Sequence, residues 1–527
     1  MNDKSLIVKD WRFVDLTFGL IYPNSYKLAN SSYTIRLLYH MINENNKFVC
    51  ERIFLPEKIK YPATKDLISI NQIRSIENKI LPNEFDVLGF SVHYENDFKN
   101  ILWLLEKSKI PWNRNKRTLL HKKNEVIYPL IIAGGPVITS NPLPLTGIFD
   151  AFFIGDSEPN LITFLNEVRE WKLKNYNLSK LFNRLKNIDG IFLPALNNQP
   201  KRLMLKDLDE SPNPSFQTIS RESKEDTVFE RNFFIEINRG CPFRCKFCIS
   251  SFHNAPFRNK SFTNIINLIE EGIKRSTFEK ISLIGSCVSS HPKFKEICRY
   301  IIYKRKKLSI PSIRLDHLDK ELITIFEEAN MKTITLAPET GSETLRYELG
   351  KKISDQKIIE VAKNIRESKI RNIKLYFLIG LPSETEEDTN AIINLIINLD
   401  SLEFERGALK ININPFIPKL NTPYGNFIHY YLEDNLHILK ERFITLEKEL
   451  KQLSSVKLKF QNPKEILKNA KLQTMFSLGD STISEVLIKY YQNGAHFRDF
   501  IKAEKVIGFS SKNYLKRIQD GYLPWII

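Results

Sequence analysis

The sequence predicts an α/β protein of two or three domains: a parallel, doubly wound sheet, then a second series of β/α units, then a helical C-terminal region. Three observations lead there. The chain has 527 residues, of which 42% are hydrophobic, which is more than a single hydrophobic core organises. Apolar runs of strand length alternate with amphipathic stretches in two separate blocks, the pattern of parallel strands joined by crossover helices. From about Tyr431 onward the periodicity is helical throughout.

In the first block, Phe18–Tyr22 reads as a strand that ends in the turn residues Pro23 and Asn24, Tyr33–Ile42 as a helix, and Val49–Leu55 as the next strand. Phe85–Val92, a helix over Phe98–Lys107, Tyr128–Gly135 and Phe149–Asp156 continue the alternation. Three of these strands end in glycine or a small polar residue, at Gly89 and Ser91, at Gly134 and Gly135, and at Gly155. Glycine there lets backbone approach a ligand at the carboxyl edge of a doubly wound sheet, or simply makes a tight turn. Cys50 is a lone thiol in an apolar strand and reads as a core residue. The proline-rich, acidic stretch from Lys206 to Pro214 marks a connection between domains.

The second block starts with the alternating run Asn232–Asn238 and continues with strands at Lys280–Gly285, Ser309–Asp316, Lys332–Glu339, Asn372–Gly380 and Ala408–Phe416, six in all, with helices between them. The expected boundaries are 1–200 for the first domain, 201–230 for the linker, 231–430 for the second domain and 431–527 for the helical region. No apolar run reaches membrane-span length and the first residues lack the apolar core of a signal peptide, so a cytoplasmic location is expected, with no membrane partner. The net charge of +17 is spread along the chain, as in Lys304–Lys307. That reads as charged, solvated helix faces, with a nucleic-acid partner as the alternative.

Cys241, Cys245 and Cys248 lie within eight residues, spaced C-x3-C-x2-C, on the loop that follows the first strand of the second block. Three thiols make no disulfide framework, so the reading is a metal or iron-sulfur site in a reducing compartment. A zinc site completed by His253, in a non-catalytic binding protein, is one candidate. A [4Fe-4S] cluster held by three thiolates, with one iron open to a ligand, is the other.

The cysteine motif, with Phe247 before its last member and Ala255–Ser261 beyond it, resembles the radical S-adenosylmethionine (SAM) enzymes. The longer pattern is similar to the uncharacterised subgroup with an N-terminal cobalamin (B12)-binding-like domain. The resemblance implies a Rossmann-like first domain, a partial (β/α)6 radical SAM barrel, a [4Fe-4S] cluster on Cys241, Cys245 and Cys248, and SAM as cofactor. It also implies a low-potential electron donor of flavodoxin or ferredoxin type and radical chemistry on an unknown substrate. Cobalamin is a further candidate cofactor, although no Asp-x-His-x-x-Gly motif supplies a histidine for cobalt.

By the same resemblance Gly285 and Ser286 receive the SAM amino group, without the usual Gly-Gly-Glu, and Arg314 meets the SAM carboxylate. Glu339, Gly341 and Ser342 contact ribose and carboxylate, Gly341 by admitting the ligand, while Gly380 and Phe247 lie on the adenine side. Cys287, at the end of the second strand of this block, is either a small core residue or a catalytic thiol that donates hydrogen or carries an adduct. Methyl transfer through cobalamin and modification of RNA are the two reaction types that the resemblance brings into view.

Overall fold

The computed structural model describes residues 7–57, 59, 61, 73–123, 125–174, 177–215, 217, 232–432, 435–459 and 462–527. It divides into two compact units, one of residues 1–231, 475–511 and 523–527, the other of residues 232–474 and 512–522. Within the connection expected at 201–230, residues 216 and 218–230 lie outside the described residues.

The first unit is built on β1 (Leu16–Ser25), β2 (Phe48–Leu55), β3 (Val87–Ser91), β4 (Leu130–Gly134), β5 (Ala151–Phe153) and β6 (Ile191–Phe192), in the order β2-β1-β3-β4-β5-β6. All neighbours are parallel except β5 and β6. β3 is buried along its whole length, the burial expected of a strand covered on both faces. Leu16, Phe48, Val87 and Ile132 share a core with Phe164, Leu165 and Val168 of the helix Leu161–Leu173.

Helical residues from the end of the chain complete this unit. Ser484 donates to the Pro144 carbonyl (2.7 Å), and the Asn141 amide donates to the carbonyls of Ser477 and Gly479 (3.1 and 2.7 Å). Phe98 packs on Phe476, and Trp112 on Tyr491. The region 431–527, read from sequence as one helical stretch, is therefore shared between the two units.

The second unit holds β7 (Asn232–Glu236), β8 (Asn238–Arg239), β9 (Arg258–Asn259), β10 (Lys280–Ile284), β11 (Lys307–Ser309), β12 (Thr333–Glu339), β13 (Asn372–Ile379), β14 (Leu409–Pro415) and β15 (Val456–Leu458). β11-β10-β7 and β12-β13-β14-β15 form two parallel sheets. The Ile313 amide, donating to the Thr335 carbonyl at 3.1 Å, bridges their facing edges.

Two sequence expectations shift. The third strand spans Lys307–Ser309 instead of Ser309–Asp316, since Pro311 lacks the N–H a ladder needs. A seventh parallel strand, β15, extends the sheet beyond the expected six. The crossover helix Glu386–Asp400 begins with a capping box between Thr385 and Asp388 and buries Ile392, Ile393, Ile396 and Leu399 along one stripe. No described helix is long and apolar enough to cross a membrane.

Candidate functional site

The cysteine loop springs from the carboxyl end of β7, where β8 turns back and pairs antiparallel with β9. Gly240 at φ +79° starts it, and a side chain there would strike the carbonyls of Asn254 and Pro256 at 2.5 and 2.8 Å. The loop closes on itself through the Cys248 amide, which donates to the Cys245 carbonyl (3.0 Å). The Lys246 amide donates to the Leu349 carbonyl (3.0 Å) and the Tyr424 amide to the Lys246 carbonyl (3.3 Å), which ties the loop to the rest of the unit.

Cys245 is buried, while Cys241 and Cys248 are half-buried. Burial raises the Cys245 thiol pKa, opposed by the charges of Lys351 and Arg314, with Cys248 and Glu339 also within electrostatic reach. Lys351 donates to Glu339 at 2.6 Å, both side chains being largely enclosed. Arg314 stacks its guanidinium 3.4 Å over the Phe243 ring of the loop and donates to Asp316 at 3.0 Å. It lies beyond β11, and its side chain is only 8% exposed. The cations Lys351 and Arg314 favour the ionised thiolates that a cluster requires.

These thiols fit an iron-sulfur cluster better than zinc. His253, the proposed fourth zinc ligand, is buried with its Nε2 donating to the Leu420 carbonyl at 2.8 Å.

Of the other expected site residues, Glu339 ends β12 at φ +73° beside Cys245. Phe247 packs on the apolar cluster of Leu345, Leu349, Leu381, Phe416 and Tyr424, as does Leu378 near the end of β13. The motif phenylalanine and the fifth strand end are thereby brought together. Cys287 follows β10 with its thiol against that of Cys241.

Four expected contacts have another physical cause. A side chain at Gly285 would meet Asn238 Oδ1 at 2.1 Å, and one at Gly341 would meet the Ile392 amide at 2.1 Å, so the chain itself occupies both spaces. Gly341 therefore admits a helix, not a ligand. Ser342 caps the helix Glu343–Glu348, and Gly380 adopts φ +81° against Leu439 and Tyr430. Ser286 is exposed in the turn after β10. Sequence reasoning missed Lys351, which no motif spacing marks, and Asn238, whose amide donates to the Cys287 carbonyl at 2.8 Å.

In the first unit the order of β1 to β5 places a topological switch point between β1 and β3, where sheets of this kind bind ligands. Tyr22, Asn24, His93 and Asp97 lie there. His93 Nε2 is 2.9 Å from Ser91 Oγ, and burial lowers its pKa to about 4, which keeps it neutral. Three of the four glycines face the chain itself: Gly89 is covered by the Phe18 ring, Gly135 by Val92 backbone and Gly155 by Leu203 backbone, while Gly134 meets only the Phe153 side chain at an ordinary 3.5 Å.

Two family models match this chain, radical SAM proteins, N-terminal, over residues 34–194 and the radical SAM superfamily over residues 235–396. The chain belongs to the radical SAM superfamily and is an enzyme of that type, for which the family implies a [4Fe-4S] cluster, SAM, a reductant and a substrate. It is 26% identical over 503 residues to an uncharacterized protein of Methanocaldococcus jannaschii, covering 95% of this chain and 96% of that one. An uncharacterized methyltransferase of Pyrococcus horikoshii is 26% identical over 296 residues, 53% of this chain and 59% of its own. The radical SAM methyltransferase TsrM of Kitasatospora setae, solved with tryptophan substrate and a SAM analog, shares the fold at a TM-score of 0.50 and 13% identity, over 78% of this chain and 75% of that one.

Proposed function

We propose that the protein cleaves SAM reductively at the Cys241–Cys248 loop and starts radical chemistry on a substrate held by the second unit. The observation that carries this reading is the loop itself, three thiols at the carboxyl edge of a parallel sheet with Lys351, Arg314 and Glu339 beside Cys245. Cys241, Cys245 and Cys248 would hold the cluster. When bound, the cluster would supply the electron for reductive cleavage of SAM, the source of the radical chemistry.

The chain's own residues orient and enclose. Phe247, on its apolar cluster with Leu378, offers a flat face for adenine. Glu339, turned by Lys351, presents a carboxylate able to accept from ribose hydroxyls. Arg314 offers a guanidinium to the SAM carboxylate.

The finer reading is methyl transfer with cobalamin at the switch point of the first unit. Its support is the strand order of that unit and the likeness to two methyltransferases. A flavodoxin or ferredoxin donor and a cytoplasmic location complete the reading.

Anaerobic purification with iron and sulfide analysis, followed by dithionite and SAM, tests the main reading. Brown protein that forms 5′-deoxyadenosine is expected, and Cys245→Ala is expected to lose both colour and product. Colourless protein holding zinc would overturn it. Cobalamin extracted from the same protein tests the finer reading, and none bound after growth with the vitamin would remove it.

A further inference from the structure

One face of the sheet β12-β13-β14 is fully apolar. Ile373, Leu375, Phe377 and Ile379 of β13 and Leu409, Ile411 and Ile413 of β14 are all buried, as crossover helices require. The other face is of a different character. It carries Thr335, Lys374, Tyr376, Leu378, Lys410, Asn412 and Asn414, nearly all half-buried. Leu378 packs on the same cluster as Phe247, so this is the face turned to the cysteine loop. A barrel interior is ordinarily packed with branched apolar side chains. Here it is polar and cationic.

Register makes the charge specific. Thr335 pairs with Lys374, Lys374 with Lys410, and Lys410 with Lys457 of β15, so three lysines stand directly opposite one another on adjacent strands. Like charges in such positions repel and destabilise a sheet. Among the described residues none of the three ammonium groups enters a hydrogen bond or ion pair, Lys374 only lying 4.8 Å over the Tyr376 ring. The acids at the carboxyl edge are already engaged, Glu236 with Arg239 and Glu339 with Lys351.

We propose that the row of Thr335, Lys374, Lys410 and Lys457 holds an oxyanion, a carboxylate or phosphate, carried by the substrate. This rests on the radical chemistry proposed at the cysteine loop. Lys374 lies five residues before the end of β13, roughly 16 Å at the rise of a strand. The anion therefore marks the far end of an elongated small molecule whose other end lies under the loop, with Tyr376, Asn412 and Asn414 along its length.

The test uses the full chain with its cluster reconstituted anaerobically. Calorimetric titration with inorganic phosphate and with hexyl phosphate should show binding of both, the organic anion about tenfold more tightly, and loss of about tenfold or more for each in Lys374→Gln/Lys410→Gln. The double variant should keep its iron and its dithionite-driven SAM cleavage, which sets failure here apart from failure of the radical SAM reading. Lys410→Gln alone should raise the thermal midpoint in anion-free buffer, as relief of repulsion demands. Equal binding by wild type and double variant overturns the proposal. So does hexyl phosphate that binds no more tightly than inorganic phosphate, which would define a free-anion site. Tighter binding of a short single-stranded RNA through the same lysines would replace the small molecule with a nucleic acid and also overturn it.

Discussion

The thiol of Cys287 lies in hydrogen-bonding contact with the thiol of Cys241, the first cysteine of the cluster loop. One proton shared between two sulfurs raises the pKa of Cys241 and lowers that of Cys287 to about 6, with the Ser290 hydroxyl donating to Cys287 Sγ at 3.1 Å. Once Cys241 serves iron as a thiolate, Cys287 becomes the donor. Hydrogen bonds to ligand sulfurs stabilise the reduced, more negative cluster.

Cys287→Ala should therefore lower the midpoint potential of the cluster by an amount on the order of tens of millivolts, while Cys287→Ser, which keeps a donor, should hold most of the original value. Redox titration followed by electron paramagnetic resonance reads this directly. An alanine variant with the wild-type potential would reduce the contact to packing.

Glu339→Ala should weaken SAM binding about tenfold and leave iron content unchanged, because the carboxylate neighbours the loop without belonging to it. Equilibrium binding of SAM to the reconstituted protein measures the first, iron analysis the second. Simultaneous loss of iron would make Glu339 a structural residue that acts through Lys351.

Gly341→Ala separates a ligand cradle from a helix contact. A methyl group there collides with the backbone of Ala391 and Ile392 at 2.1–2.4 Å. The variant should lose about 2–3 kcal/mol in urea denaturation, the upper part of the range for overpacked sites. Unchanged stability with weakened SAM binding would restore the cradle.

Asp97 supplies a pH dependence. Burial pushes its carboxyl up to about 7, against hydrogen bonding from Asn24 and the charge of Lys99. The unfolded chain titrates near 3.9, so the folded state binds the proton more tightly. The stability this group adds is complete below about pH 4 and is lost as pH rises through 7. Asp97→Asn should therefore gain on wild type by up to about 4 kcal/mol between about pH 4 and 8. Thermal midpoints of both proteins across that range decide it, and parallel curves would refute the burial argument.

The cysteine loop and five of the six expected barrel strands were legible because spacing and alternation are local properties of the chain, whereas the third was read too far along, over Pro311. The strand Val456–Leu458 was not legible. Three residues in a lysine-rich stretch carry too little periodicity to stand out, and the strand exists because β14 offers it an edge. Nor does any local signal tell Gly341, which yields to a helix, from a glycine that yields to a ligand. That distinction depends on Ile392, far along the chain. The lysine row is invisible in sequence for the same reason, since only register brings Lys374, Lys410 and Lys457 side by side.

The helices that complete the first unit follow residues 232–474 in the chain. During synthesis Phe98 and Trp112 leave the ribosome long before Phe476 and Tyr491, their partners. At 5–20 residues per second the wait is roughly 20 to 75 s. Throughout that interval a nascent sheet shows uncovered aromatic surface, which makes it a natural client for a chaperone. Its last seam can close only after the barrel has been made.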